Sequence, residues 1–225
     1  MHKLNDHFVK ERLKDIVNLG REILDIRKDD LHTKKATEVI KRLGTEKINQ
    51  LETIWQKYFE KFLLYLIFSY KKIYPKVMLE DIDGDKKYPD FIGINHYNGL
   101  DIIEIKTHLA EILKWDESHK NYYFSAEMSK AITQVKNYMD SISRIRFQNN
   151  HDRQKITKYT EEENLYHPRA IIIISSKNKI SKNTSGSLEK LRRDFTKLRN
   201  GLNDIQILTF DEILNIADEY IANIQ

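Results

Sequence analysis

Apolar positions along the first 26 residues recur every three or four places, the spacing that forms one face of a helix. The apolar residues on this face are Phe8, Leu13, Ile16, Val17, Leu19, Ile23, Leu24 and Ile26. The periodicity weakens over residues 29–47, and a long, strongly apolar stretch begins at Asn49. We therefore predict an N-terminal helix and a second helix that continues to Pro75, because proline cannot be accommodated inside a helix.

The pattern changes to strands after Pro75. Three segments are predicted to be successive strands, with the turn signals DGD and NHYNG between them: KVMLEDI, KYPDFIGIN and LDIIEIKTH. Helical spacing returns over residues 125–147. A buried strand (169–176), a helix (187–202), a strand (204–210) and a last helix (210–224) follow. Since hairpins join the early strands and helical crossovers join the late ones, we predict an α/β fold of three layers, with helices flanking a mixed central sheet.

The chain has 225 residues, of which 40% are hydrophobic, and this is enough for one substantial core. The weak periodicity near residues 30–46 is the one candidate boundary. We predict an N-terminal helical extension at residues 1–45 and a main domain at residues 46–225.

Composition excludes several kinds of chemistry. The chain has no cysteine, which rules out disulfides, thiolate metal sites and cysteine nucleophiles. The N-terminus lacks the apolar core of a secretory signal, and the longest apolar runs are far shorter than the roughly 20 residues that span a bilayer. We expect a cytoplasmic protein without a membrane-embedded segment.

Net charge does not identify a partner, because 38 basic residues are balanced against 34 acidic ones. Basic residues are nevertheless concentrated over residues 143–158 and 176–200, together with amides and hydroxyls that could contact phosphate. Either run taken alone is more typical of a solvated helix or loop surface than of a nucleic-acid contact. Lys190, Arg192 and Arg193 in the second run are our candidates for contact with DNA.

A possible catalytic centre lies in the segment YPDFIGINHYNGLDIIEIK. Glu104 and Lys106 are two residues apart in a predicted strand, so their side chains point to the same face. Asp90 sits at the end of the preceding strand, directly after a proline, and a hairpin at NHYNG would return Glu104 to its vicinity. We therefore predict that two carboxylates and one lysine converge.

These residue types suit the hydrolysis of a phosphodiester. A divalent cation such as Mg²⁺ or Mn²⁺ prefers oxygen ligands and could bind Asp90 and Glu104. Lys106 could hold or deprotonate the attacking water and stabilise the negative charge of the transition state. A Glu-x-Lys pair by itself is usually part of a solvated surface in so charged a chain. Its position on an apolar strand beside a Pro-Asp dipeptide favours the catalytic interpretation.

A helix that follows the strand adds a second cluster. Gln134 and Tyr138 are four residues apart and share one helical face. The order Asp, Glu-x-Lys, Gln-x-x-x-Tyr resembles RecB-like members of the PD-(D/E)xK nuclease superfamily. This resemblance implies a restriction-endonuclease-like fold, a Gln134 that orients the lysine or the water, and a Tyr138 that supports it or meets the substrate. It also implies that the Ile105 carbonyl is a third metal ligand.

Several motifs in a fixed order are similar to the Shedu antiphage nuclease domain over roughly residues 50–217. They are E-x-x-W-Q-K-Y-F-E at Glu52 to Glu60, then Y-P-D-F, I-I-E-I-K, F-S-A-E-x-x-K-A-I-x-Q-V-x-x-Y, P-R-A-I-I-I-I-S-S and L-T-F-D-E-I-L. The resemblance implies a bacterial immune effector that cuts DNA and assembles as a homo-oligomer. It also implies that Glu52 completes the metal site, with Glu60 as a competitor. The sequence departs from the family where FEKFLLYLIF continues without an Asn-Pro.

Other interpretations remain open at this point. A restriction-type or repair nuclease of the same superfamily would share these motifs, and so would a non-catalytic nucleic-acid-binding module that kept the fold. The eight histidines show no metal-ligand spacing, which argues against a zinc site. We expect His108, two residues beyond Lys106, to lie on the surface at the edge of the strand.

Overall fold

A computed structural model describes residues 2–45, 48–67, 69–80, 83–145, 167–182 and 185–223. Over these residues the chain forms seven α-helices, one 3-10 helix and nine strands. The helices are α1 (His2–Leu24), α2 (Lys34–Arg42), α3 (Leu51–Leu66), α4 (Ala126–Ile145), α5 (Lys177–Lys182), α6 (Leu188–Asn200) and α7 (Phe210–Asn223). The strands are β1 (Tyr70–Pro75), β2 (Leu79–Glu80), β3 (Lys86–Lys87), β4 (Phe91–Asn95), β5 (Leu100–Ile105), β6 (Leu113–Asp116), β7 (Asn121–Phe124), β8 (Arg169–Ile173) and β9 (Ile205–Leu208). Most of the basic run predicted at residues 143–158 lies outside the described residues.

Five strands form a mixed sheet in the order β1-β4-β5-β8-β9. The pairs β1–β4 and β4–β5 are antiparallel, whereas β5–β8 and β8–β9 are parallel. The predicted α/β class and mixed sheet are therefore confirmed. The parallel pairs result from the crossover connections that contain α4 and α6, because a parallel strand can be reached only through a long connection.

The two faces of this sheet are covered by separate apolar clusters, and the central strands are buried on both sides. Ile103 and Ile105 of β5 contact a cluster built by α1, α2, α3 and α7. Ile102 of the same strand faces the opposite cluster, which includes residues of α4, α6 and β7. Alternation along β5 thus presents Glu104 to the α4 side, as period-two spacing predicts.

The second predicted helix corresponds to α3 and is shorter than predicted. It ends at Leu66, and Tyr70–Pro75 forms the edge strand β1 instead of the last turns of a helix. Pairing with β1 satisfies backbone groups on the outer edge of β4. Tyr70, the first residue of β1, is buried. Proline is tolerated here because β1 is an edge strand and Pro75 is its last residue.

The segment between α3 and α4 also differs from expectation in detail. The strand predicted at KVMLEDI is reduced to β2, which pairs with β3 in a separate two-stranded ribbon, and residues 81–82 lie outside the described part. The hairpin formed by β6 and β7 in this segment was not predicted. The short helix α5, which follows β8, was not predicted either. None of the described helices combines the length and the apolar character that crossing a membrane requires.

Candidate catalytic site

The predicted hairpin brings Asp90 to Glu104. Phe91 of β4 pairs with Ile103 of β5, so Asp90 lies opposite Glu104 at the end of the central strand. Asp90 Oδ2 accepts a hydrogen bond of 2.8 Å from the amide of Ile105, and its Oδ1 accepts one of 2.6 Å from Gln56 Nε2. Both carboxylate oxygens of Asp90 are thus held in place by neighbouring groups.

Lys106 connects this pair to α4. Its Nζ lies 2.7 Å from Glu104 Oε1 and 3.1 Å from Gln134 Oε1. Gln134 in turn donates a hydrogen bond of 2.7 Å from its Nε2 to the Tyr138 hydroxyl. This chain of contacts joins four of the residues that the sequence singled out, namely Glu104, Lys106, Gln134 and Tyr138.

Burial and crowding disturb the titration of both carboxylates. Glu104 is only 3% exposed. Burial, followed by the negative charges of Glu104 and Glu52, raises the pKa of Asp90 to about 7, although the Ile105 amide and Lys106 act in the opposite direction. Burial also raises the pKa of Glu104, against the opposing effect of Lys106. The two acids are therefore poorly compensated by the surrounding protein groups.

Lys106 keeps its charge in this setting. Burial would lower the pKa of its ammonium group, but the carboxylates of Glu104, Glu52 and Asp90 raise it above its ordinary value. A lysine in this state is a fixed positive charge and a hydrogen-bond donor. Both roles that the sequence left open for Lys106 stay predictions, because a cation bound by these carboxylates would offset the charges that raise its pKa.

The structure distinguishes the surroundings of Glu52 and Glu60. Glu52 is half-buried in the first turn of α3, and its charge acts on Asp90, Glu104 and Lys106. Glu60 is exposed, pairs with Lys57 at 2.7 Å, and lines a cleft of about 180 Å³ that reaches Asp90. Of the two glutamates, Glu52 is the one whose charge raises the pKa values of both carboxylates.

A divalent cation fits the chemistry of these donors. Glu104 Oε2 is buried and has no hydrogen-bond partner among the described residues, and such an atom is costly unless a further group satisfies it. Among the described residues, no three Asp, Glu or His side chains form a compact ligand group, and Lys106 supplies the nearest positive charge to Glu104. Two oxygen-bearing side chains with raised pKa values nevertheless match the preference of Mg²⁺ for hard anionic ligands.

Sequence reasoning missed Gln56, whose amide holds Asp90. The residue lies within the W-Q-K-Y-F run, one position after Trp55. A polar amide among the apolar residues of this helix was the available signal in the sequence. Its role depends on how α3 packs against the sheet, which local spacing does not specify.

The expectation that His108 lies on the surface is wrong. His108 is 1% exposed, Trp55 Nε1 donates to its Nδ1 at 2.9 Å, and its Nε2 lies 2.9 Å from the Ile26 carbonyl. Because the indole can only donate, His108 must be neutral with its proton on Nε2. Burial accordingly lowers the pKa of this imidazole. The chain after β5 turns inward between α3 and the N-terminal region. His108 is therefore buried and not exposed at the edge of the strand.

The basic residues predicted to contact DNA lie on α6. Lys190 Nζ lies 3.1 Å and Arg193 Nε 3.9 Å from the carboxylate of Asp194, while Arg192 is exposed. Asp194 is buried and accepts the Tyr122 amide at 3.1 Å, so Lys190 and Arg193 contribute to anchoring α6 on β7. Their contact with DNA stays a prediction.

These observations define an α/β protein with a buried acidic pair and a charged lysine at the end of its central strand. A family described as Shedu protein SduA, C-terminal, matches residues 49–214, which is most of the chain. The protein therefore belongs to the Shedu family, as its motifs predicted, and this membership suggests a role in antiphage defence. A comparison with curated proteins found no match.

Proposed function

We propose that this protein is a metal-dependent DNA endonuclease of the PD-(D/E)xK type that acts in bacterial antiphage defence. The observation that carries the proposal is the convergence of Asp90, Glu104 and Lys106 at the end of β5. Within the described part of the chain, one oxygen of Glu104 has no hydrogen-bond partner there. Membership of the Shedu family supports the defence role. The substrate would be DNA in the bacterial cytoplasm, and the active form would be a homo-oligomer.

Asp90 and Glu104 would hold the cation, with Glu52 and the Ile105 carbonyl as further ligands. Bound Mg²⁺ or Mn²⁺ would neutralise charge on the phosphate and lower the pKa of the attacking water. Gln56 and the Ile105 amide fix Asp90 through its two oxygens, so the orientation of this ligand would be set before any cation binds.

Lys106 would stabilise the negative charge that develops on the phosphate. Its Nζ is held 2.7 Å from Glu104 Oε1 and 3.1 Å from Gln134 Oε1, and a positive charge fixed in a partly buried site stabilises a transition state without reorganising. Gln134 restricts the position of that group from α4 and is itself held by Tyr138. Gln134 is thus a positioning residue, and its removal would loosen Lys106 without changing its charge.

The test is cleavage of supercoiled plasmid with Mg²⁺ or Mn²⁺ by the wild type and by single variants. We expect Asp90→Ala, Glu104→Ala and Lys106→Ala each to lower the cleavage rate by at least about 100-fold, since positioned groups of this kind typically contribute that much. Glu60→Ala is the matched control, an acidic residue of α3 that is exposed and paired with Lys57, and it should cut like the wild type.

Unchanged cutting by the three site variants would refute the assignment of these residues. A wild type that binds DNA but shows no cleavage with any divalent cation would favour the non-catalytic module instead. Linear and circular DNA should be compared in the same assay, because a repair nuclease that needs ends would spare the circle. Light scattering of the purified chain tests the oligomer directly.

A further inference from the structure

An open groove of about 480 Å³ extends from the candidate site along α4. Its lining includes Gln134 and Tyr138, which belong to the site, and Ser129, Lys130, Thr133 and Asn137 from the same helix. These positions recur at helical spacing, so they form one continuous stripe. Gln134, in the interior of the stripe, accepts a hydrogen bond from Lys106, so the groove passes beside the group proposed to meet the reacting phosphate.

The lining has the chemistry of an anion-binding surface. Every described residue in it carries a polar hydrogen-bonding group, two are lysines, and none is a carboxylate. Lys130 is exposed on α4, and within the described part of the chain its ammonium forms no ion pair. Lys87 of β3 also lines the groove, and its ammonium lies 3.5 Å from Asp85 Oδ2. Lysine, hydroxyl and amide groups of this kind provide most protein contacts to nucleic-acid phosphates.

The stripe also has a length that suits a polymer. Ser129 and Asn137 are eight residues apart on a helix that rises about 1.5 Å per residue, so the stripe spans roughly 12 Å. At an axial rise of about 3.4 Å per nucleotide in a duplex strand, this distance covers at most three to four nucleotides, and fewer along the winding backbone itself. A single small anion would leave most of the stripe empty.

We propose that this groove binds the phosphodiester backbone of one strand of the nucleic acid and carries it past Gln134, next to Lys106. The inference rests on the proposed function, since it assigns the path of that substrate. It differs from the path over α6 that the sequence suggested. Lys130 is exposed, whereas on α6 Lys190 and Arg193 lie 3.1 and 3.9 Å from the buried Asp194 and only Arg192, of the three candidates there, has no such contact.

The experiment measures binding of a fluorescent DNA duplex of about 20 base pairs by anisotropy, in EDTA so that no cutting occurs, over a series of salt concentrations. We expect Lys130→Ala to weaken binding and to reduce the slope of log affinity against log salt by about 1, the change for one lost phosphate contact. Lys130→Glu should weaken binding further, by at least about tenfold. Lys136→Ala and Lys136→Glu are the matched controls, since Lys136 is exposed on α4 but does not line the groove.

Equal effects at Lys130 and Lys136, or no effect at either, would overturn the groove assignment. Displacement of the DNA by a polyglutamate peptide at the same charge concentration would also overturn it, because the surface would then recognise negative charge in general. Thermal unfolding of each variant verifies that the fold is intact.

Cleavage assays separate this inference from the proposed function. If the wild type cuts plasmid and Lys130→Glu binds DNA normally, the groove is wrong and the nuclease stands. If Lys130→Glu impairs binding but no preparation cuts DNA, the groove stands and the nuclease fails. If both are right, Lys130→Glu should raise KM for DNA with little change in kcat.

Discussion

Ionised Asp90 lowers the stability of the folded protein in the absence of a cation. A partly buried carboxylate with a pKa near 7 is ionised at neutral pH only against the opposition of its surroundings. Glu104 lies across the strand pair with a raised pKa of its own, and the Lys106 ammonium is nearest to Glu104. Residues that are chosen for chemistry commonly lower stability in this way.

The first prediction concerns Asp90→Asn. We expect this change to raise the free energy of unfolding at pH 8, in EDTA, by about 2 kcal/mol, because one pKa unit corresponds to about 1.4 kcal/mol and relaxation reduces the full effect. The sign follows from linkage. The folded state holds the Asp90 proton more tightly than the unfolded chain, in which the pKa of this carboxyl is near 3.8. Ionisation of Asp90 therefore lowers stability as pH rises from about 4 to 7. The gain should therefore be clearly smaller at pH 5.

Urea unfolding at both pH values measures this effect. Asparagine can keep both hydrogen bonds of Asp90 if the Gln56 amide rotates, so the variant removes charge with little loss of contact. Asp140→Asn is the control, because Asp140 is exposed and its pair with Arg144 should contribute less than about 1 kcal/mol. A loss of stability in Asp90→Asn at pH 8 would show that Asp90 is well compensated by its neighbours.

At the scale of elements, local periodicity predicted β5 and α4 well. Alternation along LDIIEIK placed Ile103 and Ile105 on one face and Glu104 on the other, as the structure has them. Spacing of four placed Gln134 and Tyr138 together, and they form a hydrogen bond. These parts of the site depend on geometry within one element or one hairpin, which sequence spacing specifies.

Periodicity failed where long-range packing decides. The run FLLYLIFSYKKIY is apolar enough for a helix, but Tyr70 is used as a strand residue that donates a hydrogen bond of 3.0 Å to Asp101. The same holds for His108 and Gln56, whose partners Ile26 and Asp90 are distant in sequence. No local pattern encodes these contacts.

Gly93 illustrates how tightly the edge strand packs. A Cβ at this position of β4 would lie 2.6 Å from the Tyr70 ring, closer than the two groups can approach. The Tyr70 side chain cannot easily retreat, because its hydroxyl is bonded to the buried Asp101. Glycine is therefore needed here for space.

We accordingly predict that Gly93→Ala lowers the free energy of unfolding by about 1–3 kcal/mol, the usual cost of overpacking. Gly201→Ala is the matched control, since its new Cβ would make only ordinary contacts at 3.5 Å and its backbone conformation suits any residue. Chemical denaturation of both variants gives the comparison. If Gly93→Ala were as stable as Gly201→Ala, Tyr70 would have to be mobile enough to give way.

On the scale of the whole molecule, α1 is packed into the same apolar cluster as the central sheet. Its buried residues Ile16 and Ile23 lie in one cluster with Trp55 and Ile103. The Tyr58 hydroxyl donates a hydrogen bond of 2.8 Å to the Ile16 carbonyl. A Cβ on Gly20 would lie 2.7 Å from both Leu214 and Tyr58, so α1 approaches α3 and α7 very closely.

These contacts lead to a prediction about the boundary proposed near residue 45. Deleting residues 1–27 would expose the apolar faces of α3 and α7 and remove the Ile26 carbonyl, which His108 contacts. We expect the truncated chain to lose cooperative unfolding or to aggregate, because the exposed surface belongs to the main core and an unpartnered buried imidazole is costly. Circular dichroism during thermal unfolding, with light scattering, measures both outcomes. A soluble truncated chain that unfolds cooperatively and still cuts DNA would instead make residues 1–45 a separable extension, and regulation by that extension would become the simpler explanation of its presence.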